Sequence, residues 1–348
     1  MPTGRGAAFA LGDLVMTILL RAIVVLLIPL LSGCGCVRNA LTRDAGTARL
    51  HSYRQSAASV EGVEVIAEVW NDSSRQREIP VRIYAPLSTA TPLPIVIFSH
   101  GLGNDREGYE YLGRYLATHG YFVIHPQHHG SDSELGWYAL YKAGQKRENW
   151  INRPQDIGFV LDRLTELNKQ SGSRYFGRLD PETVAVAGHS MGAFTALVKS
   201  GLRLSQGDDV APPGADARVD AVIALSMPRL FGDDGAEEYA GVRLPALHMT
   251  GTRDQSRLWK TTVAHRRISF DRSSGNDRYL VTLRDGTHST FSDDERCPGL
   301  MHADHIDTIQ QTSLAFLDAY LRNDAGAKQW LRSGLDQFLE GTAVIERR

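Results

Sequence analysis

Five consecutive residues, Gly188-His189-Ser190-Met191-Gly192, carry the clearest chemical signal in the chain. They spell G-x-S-x-G. A serine hydroxyl is a weak nucleophile until a neighbouring base takes its proton. Taken alone the pattern is a glycine-rich turn, so its flanks matter. Thr183-Val184-Ala185-Val186-Ala187 before it reads as a strand, and Ala193-Phe194-Thr195-Ala196-Leu197-Val198 after it reads as a helix. A sharp strand-to-helix turn lifts the serine oxygen above a sheet edge, and small flanking residues avoid clashes in that turn. The free N–H groups at the helix start favour developing negative charge. In this setting Ser190 is the expected nucleophile of an acyl-transfer reaction.

Such a serine needs a base that is neutral near pH 7, which histidine supplies. There are 12 histidines. His100 and His189 lie in glycine-bearing loops, and His125, His128 and His129 follow an apolar run. His248 sits inside another run, His265 in a polar segment, and His302 and His305 open the last long helix. His288, in Asp285-Gly286-Thr287-His288-Ser289, follows the final predicted strand and is the expected base. The orienting acid should lie between serine and histidine in the chain. Asp254 fits, because Gly251-Thr252-Arg253-Asp254 is the turn after the strand Ala246–Thr250. The alternative places the acid one strand earlier, where Ser226-Met227-Pro228-Arg229 is followed by Asp233 and Asp234. Strand position favours Asp254.

A tetrahedral oxyanion needs preorganised donors, and losing one typically costs about 100- to 1,000-fold in rate. The strand Ile95–Phe98 runs into Ser99-His100-Gly101-Leu102-Gly103. That loop and the residue after the nucleophile make the backbone N–H groups of Leu102 and Met191 the expected oxyanion donors. Two histidine clusters raise a metal reading: His125-Pro126-Gln127-His128-His129 and His302-Ala303-Asp304-His305. A zinc site takes three or four ligands in set geometry. Pro126 breaks any helix in the first cluster, and neither has the H-E-x-x-H spacing, so both read as polar loop residues. The expectation is no metal and no organic cofactor.

These residues require a scaffold that delivers loops to one sheet edge. Val63–Trp70 and Ile79–Tyr84 read as a hairpin around the polar turn Asn71-Asp72-Ser73-Ser74. Ile95–Phe98, Tyr121–Ile124, Thr183–Ala187, Ala221–Leu225, Ala246–Thr250 and Tyr279–Leu283 read as further strands. Between them, Glu107–Thr118, Pro154–Leu167, Met191–Leu202 and Ile306–Leu321 read as helices, the second opening on a proline in its first turn. A leading hairpin followed by alternating strand and helix predicts an α/β fold of three layers, a mostly parallel sheet with helices on both faces. Gly130–Asn149 reads equally as an excursion over the site or as an ordinary helical connection.

The chain has 348 residues, 42% hydrophobic and 22% charged, with a formal net charge of −2. That suits a globular domain with a real core and leaves no electrostatic footprint for nucleic acid. The first residues differ. Arg21 precedes the apolar run Ala22–Leu31, which is too short for the roughly 20 residues that span a bilayer. The pattern predicts an export signal over 1–33, starting at Met1 or at Met16. Residues 34–60 read as a polar linker, 61–323 as the catalytic domain and 324–348 as a helical extension. Of the three cysteines, Cys36 and Cys297 are expected to stay unpaired, because Cys36 lies in the linker.

Leu31-Ser32-Gly33-Cys34 resembles the lipobox of bacterial lipoproteins, which implies cleavage before Cys34, lipid on its thiol and a membrane-anchored, exported protein. A secreted soluble form is the alternative. The larger resemblance is carried by Phe98-Ser99-His100-Gly101-Leu102-Gly103, Tyr109–Gly120, His125–Asp132, Arg153-Pro154-Gln155-Asp156, Gly188–Gly192 and Gly251–Asp254. Over roughly Glu61–Leu321 the chain resembles the α/β hydrolases of the dienelactone-hydrolase-like and platelet-activating-factor-acetylhydrolase-like branch. The resemblance implies a serine carboxylic ester hydrolase with the triad Ser190, Asp254 and His288, acting on a small-molecule or lipid ester. Dienelactone hydrolases proper use a cysteine nucleophile, so the serine here points to an ordinary ester. Acyl transfer to an acceptor other than water, and an inactive surface-anchored binding protein, are the alternatives.

Overall fold

A computed structural model describes residues 51–55, 60–88, 92–131, 136–203, 214–229, 236–256, 259–293 and 302–348. The export signal over 1–33, Cys34, Cys36, Cys297, Asp233 and Asp234 lie outside the described residues. Among the described residues no helix is long and apolar enough to cross a membrane.

Among the described residues, nine strands form one sheet in the order β1-β2-β4-β3-β5-β6-β7-β8-β9. They are β1 Val63–Asp72, β2 Arg77–Pro86, β3 Leu93–Ser99, β4 Phe122–Pro126, β5 Leu179–His189, β6 Val219–Leu225, β7 Ala246–Gly251, β8 Arg278–Leu283 and β9 Ala343–Arg347. Pairings from β4 through β3, β5, β6 and β7 to β8 are parallel, whereas β1-β2, β2-β4 and β8-β9 are antiparallel. The main helices are α1 Glu110–Thr118, α2 Trp137–Gln145, α3 Arg147–Lys169, α4 Met191–Lys199 and α5 Ala303–Leu321.

The central strands are apolar without interruption because both faces are covered. Ile95, Ile97, Val184 and Val186 join a cluster with Val160, Leu164, Phe194 and Leu197 of α3 and α4. Their neighbours Val96, Phe98, Ala185 and Ala187 join a second cluster with Leu112 and Leu116 of α1 and Ile309 and Phe316 of α5. The side-chain period of two along each strand thus feeds two cores, and the expected three-layer α/β architecture is the one found.

Three local readings change. Pro154 does not open its helix but lies seven residues inside α3. An interior proline forfeits a helix hydrogen bond; here Trp150 packs edge-on against Phe194 and Arg153 is buried, so tertiary contacts carry the helix back to Arg147. The segment 324–348 makes short helical turns over 325–338 but then adds β9 to the sheet beside β8. Residues 51–55, read as linker, dock on α5: the Tyr53 hydroxyl donates to Asp318 at 2.8 Å, and its ring meets Trp330.

Candidate active site

Ser190 stands at the junction of β5 and α4 with φ 54° and ψ −119°, a conformation a non-glycine residue adopts only when its surroundings impose it. The packing is what imposes it. A Cβ added to Gly192 would lie 1.8 Å from the Ser99 carbonyl oxygen, and one on Gly188 would lie 2.3 Å from that of Gly192. The turn therefore wedges between β5 and the end of β3, leaving the serine partly exposed at the carboxyl edge of the sheet. This is the edge at which open α/β sheets bind ligands.

His288 begins a short 3-10 turn, His288–Phe291, after β8. Thr287 and Thr290 cap it reciprocally, which fixes the entry of the chain. Its Nε2 is 3.0 Å from Ser190 Oγ, and its Nδ1 is 3.3 Å from Asp254 Oδ1. The sequence-predicted residues 190, 254 and 288 are thus together. Gly251 explains how two loops from different strands come so close. A Cβ there would fall 2.1 Å from Gly286 O, and the backbone of Arg253 donates to that same oxygen at 2.9 Å.

The electrostatics follow from burial. Asp254 is fully buried, which by itself would raise its pKa. The hydrogen bond from His288 and the charge of Arg266 outweigh that penalty and hold the carboxyl well below its ordinary range. The Arg266 guanidinium, itself buried, pairs with Asp254 Oδ1 at 2.9 Å. About a third of the His288 side chain (32%) faces solvent. Desolvation of the rest and the nearby Arg266 charge push its pKa below the usual histidine value, against the pull of Asp254. The imidazole is therefore neutral at pH 7 and can accept a proton.

The loop after β3 carries Leu102. It is braced on every side: Tyr109 OH accepts from Gly101 N at 3.2 Å, Ser131 Oγ accepts from Gly103 N at 2.9 Å, and Arg153 donates to the carbonyls of His100 and Gly101. Gly103 takes φ 80°, the left-handed region glycine tolerates. Met191 is the first residue of α4, where an N–H has no carbonyl partner within the helix. Leu102, Leu140, Tyr141 and Trp259 gather beside this loop. A Cβ on Gly103 would meet Leu140, one on Gly144 would meet Leu102 and Trp259, and Tyr141 stacks on Trp259. The Gly130–Asn149 segment is thus, where described, a helical connection that also walls the loop after β3.

The histidine clusters are engaged otherwise. His125 is buried with Nδ1 3.1 Å from Gly108 O, and His128 lies between Ser99 and Asp156. His129 is exposed, and His305 Nε2 meets Arg284 O at 3.0 Å. Among the described residues no group of three or more histidine, cysteine or acidic side chains is disposed to hold a metal.

Two residues escaped the sequence reading. Ser226 Oγ is 2.6 Å from His288 Nδ1, closer than Asp254 is. A signal for it exists, since Ser226 directly follows β6, but a serine there does not look like an acid. Arg266 had no signal, lying in a polar stretch whose folding back under β7 is a tertiary event.

Comparison with known proteins adds the following. Residues 60–175 match the family described as platelet-activating factor acetylhydrolase, isoform II, a match that stops short of Ser190. The chain is 25% identical over 311 residues to the platelet-activating factor acetylhydrolase of Cavia porcellus, covering 75% of this chain and 66% of the relative. It is 24% identical over 312 residues to that of Canis lupus familiaris and 23% over 307 residues to that of Bos taurus, covering 75% of this chain and 64% of the relative in each case. The chain therefore spans less than two thirds of the length of these relatives. By these matches it is a distant homologue of proteins named platelet-activating factor acetylhydrolase.

Proposed function

We propose that this chain is a serine-dependent carboxylic ester hydrolase working through an acyl-enzyme, on lipid or phospholipid esters with short acyl groups. The observation that carries the reading is the 3.0 Å approach of His288 Nε2 to Ser190 Oγ at a strained strand-to-helix turn, with the anionic Asp254 behind the imidazole. Ser190 Oγ attacks the ester carbonyl while His288 Nε2 takes its proton. The carbonyl oxygen, now negative, accepts from the N–H groups of Leu102 and Met191. Collapse expels the alcohol, which takes the proton back from His288. Water repeats the sequence on the acyl-enzyme and releases the acid. Asp254 holds Nδ1–H in place and stabilises the transient imidazolium.

Two things support a lipid ester with a short acyl group. One is the relatives' shared name, which specifies acetyl hydrolysis. The other is the apolar wall of Leu102, Leu140, Tyr141 and Trp259 beside the oxyanion loop. The test is a panel of p-nitrophenyl esters of graded acyl length together with a fluorophosphonate probe. Wild type should take the probe, and kcat/KM should fall from acetyl to long acyl chains. Ser190→Ala should take no probe and lose about 10,000-fold or more in kcat. Unchanged ester turnover in Ser190→Ala would refute the nucleophile; a preference for long chains would refute the short-acyl assignment.

A further inference from the structure

The nearest group to His288 Nδ1 is not the acid but an alcohol. Ser226 Oγ lies 2.6 Å away and is wholly buried. Asp254 lies behind it, its Oδ2 accepting from Thr250 Oγ1 at 3.0 Å. A hydroxyl can accept one hydrogen bond and donate another. With Nε2 accepting from Ser190, the proton of the neutral imidazole is on Nδ1, so Nδ1–H donates to Ser226 Oγ. The direct Nδ1–Asp254 separation of 3.3 Å is long for a charge-assisted bond, which ordinarily falls near 2.7–2.9 Å. The serine, not the acid, makes the short contact to Nδ1.

The tip of β6 is also built for a side chain of this kind. Ser226 has φ 52°. Among non-glycine residues that region is enriched in Asn and Asp. Its N–H is fixed by Met249 O at 2.7 Å, and the same Arg266 guanidinium that pairs with Asp254 donates to the carbonyls of Ser226 and Met227 at 3.1 and 3.0 Å. One buried cation thus stands beside both positions from which Nδ1 can be reached: the end of β6 and the turn after β7.

We propose that Ser226 is a positioning residue for His288, and that it occupies a seat from which a carboxylate could orient the base in place of Asp254. This inference rests on the assignment of Ser190 and His288 above. Three variants test it with p-nitrophenyl acetate, each checked by thermal melting: Ser226→Ala, Asp254→Asn, and Asp254→Asn combined with Ser226→Asp. Ser226→Ala should lower kcat about 10- to 150-fold, the range expected for one hydrogen bond to a charged partner, with KM within twofold. It should also move the acid limb of the pH profile downward, because the imidazolium loses an acceptor at Nδ1. Asp254→Asn should lose about 10,000-fold, and the double variant should recover at least tenfold of that. Ser226→Ala with wild-type kcat and acid limb overturns the proposal; so does a double variant that melts like Asp254→Asn and is no faster. Should Ser226→Ala melt too early to assay, the double variant decides. Wild-type chain that neither turns over ester nor takes a fluorophosphonate sinks the hydrolase reading itself, whereas an active wild type with an indifferent Ser226 sinks only this one.

Discussion

Among the described residues, two Ser–His–Asp constellations have nearly the same distances. In one, Ser190 Oγ is 3.0 Å from His288 Nε2, whose Nδ1 is 3.3 Å from Asp254. In the other, Ser99 Oγ is 2.9 Å from His128 Nε2, whose Nδ1 is 2.9 Å from Asp156. By contact length alone the second is the better triad. What separates them is their place in the fold. Ser99, His128 and Asp156 are at most 1% exposed, so no ester carbonyl can reach them. Ser99 ends a regular strand, whereas Ser190 sits at φ 54° before a helix N-terminus and opens to solvent. Asp156 is neutralised by Arg75 at 2.8 Å and Arg77 at 3.2 Å, besides His128. Three side chains in reach of one another make a hydrogen-bonded strut; under the proposed function, it is access and the N–H groups at the turn that make a reaction site.

Alanine at each serine gives the widest contrast. Ser190→Ala should abolish turnover, by about 10,000-fold or more, with a thermal midpoint close to wild type. Ser99→Ala should keep probe labelling at Ser190 with kcat within about fivefold, and instead lose about 1–3 kcal/mol of stability, because His128 Nε2 is left buried without a donor. Urea melts and single-turnover assays on both variants distinguish the two. A Ser99→Ala protein of wild-type stability but no activity would erase the distinction drawn here.

The aspartates should divide the same way with smaller catalytic contrast. Asp254→Asn should lower kcat about 10,000-fold, the cost of presenting the wrong imidazole tautomer. Asp156→Asn should cost about 3–5 kcal/mol in unfolding free energy, the usual consequence of breaking a buried ion pair, since Arg75 and Arg77 lose their shared counter-charge. The fraction of Asp156→Asn that remains folded should still react with a fluorophosphonate. Denaturant titration followed by active-site titration of the same samples checks both halves.

Sequence made the exposed constellation legible and hid the buried one. Ser190 is announced by flanking glycines and by the strand and helix on either side, and His288 and Asp254 by following strands at the right end of the sheet. These are local signals. Ser99, His128 and Asp156 come from β3, from the loop after β4 and from α3, and only sheet order brings them together. Their types look like ordinary polar residues at strand and helix ends, and nothing in their spacing marks them as a set. Ser226 and Arg266 fall between these cases. Strand ends mark where functional groups belong but not which type will be used, and a buried arginine under the acid follows from a chain reversal that has no periodic signature.

The smallest effects expected are on pH dependence, and they divide along the same line. Burial, reinforced for His100 and His128 by the nearby Arg153 charge, lowers the pKa of His125 to about 3, that of His128 to about 4 and that of His100 well below its usual value of 6.5. The unfolded chain takes up protons on these groups near pH 6.5 and the folded chain does not. Stability from these groups is therefore complete above pH 6.5 and is lost as pH falls from there toward 4, at up to about 1.4 kcal/mol per pH unit for each group. On the proposed mechanism, activity answers to a different histidine. His288 must be neutral to act as base, and its pKa is depressed by desolvation and Arg266, so the acid limb of kcat/KM should have an apparent pKa below 6.5. His128→Asn should flatten the fall in urea midpoint between pH 6.5 and 4 while leaving the acid limb where it was. If that substitution moves the limb and spares the stability slope, the two constellations are one coupled system, and the buried one takes part in the chemistry.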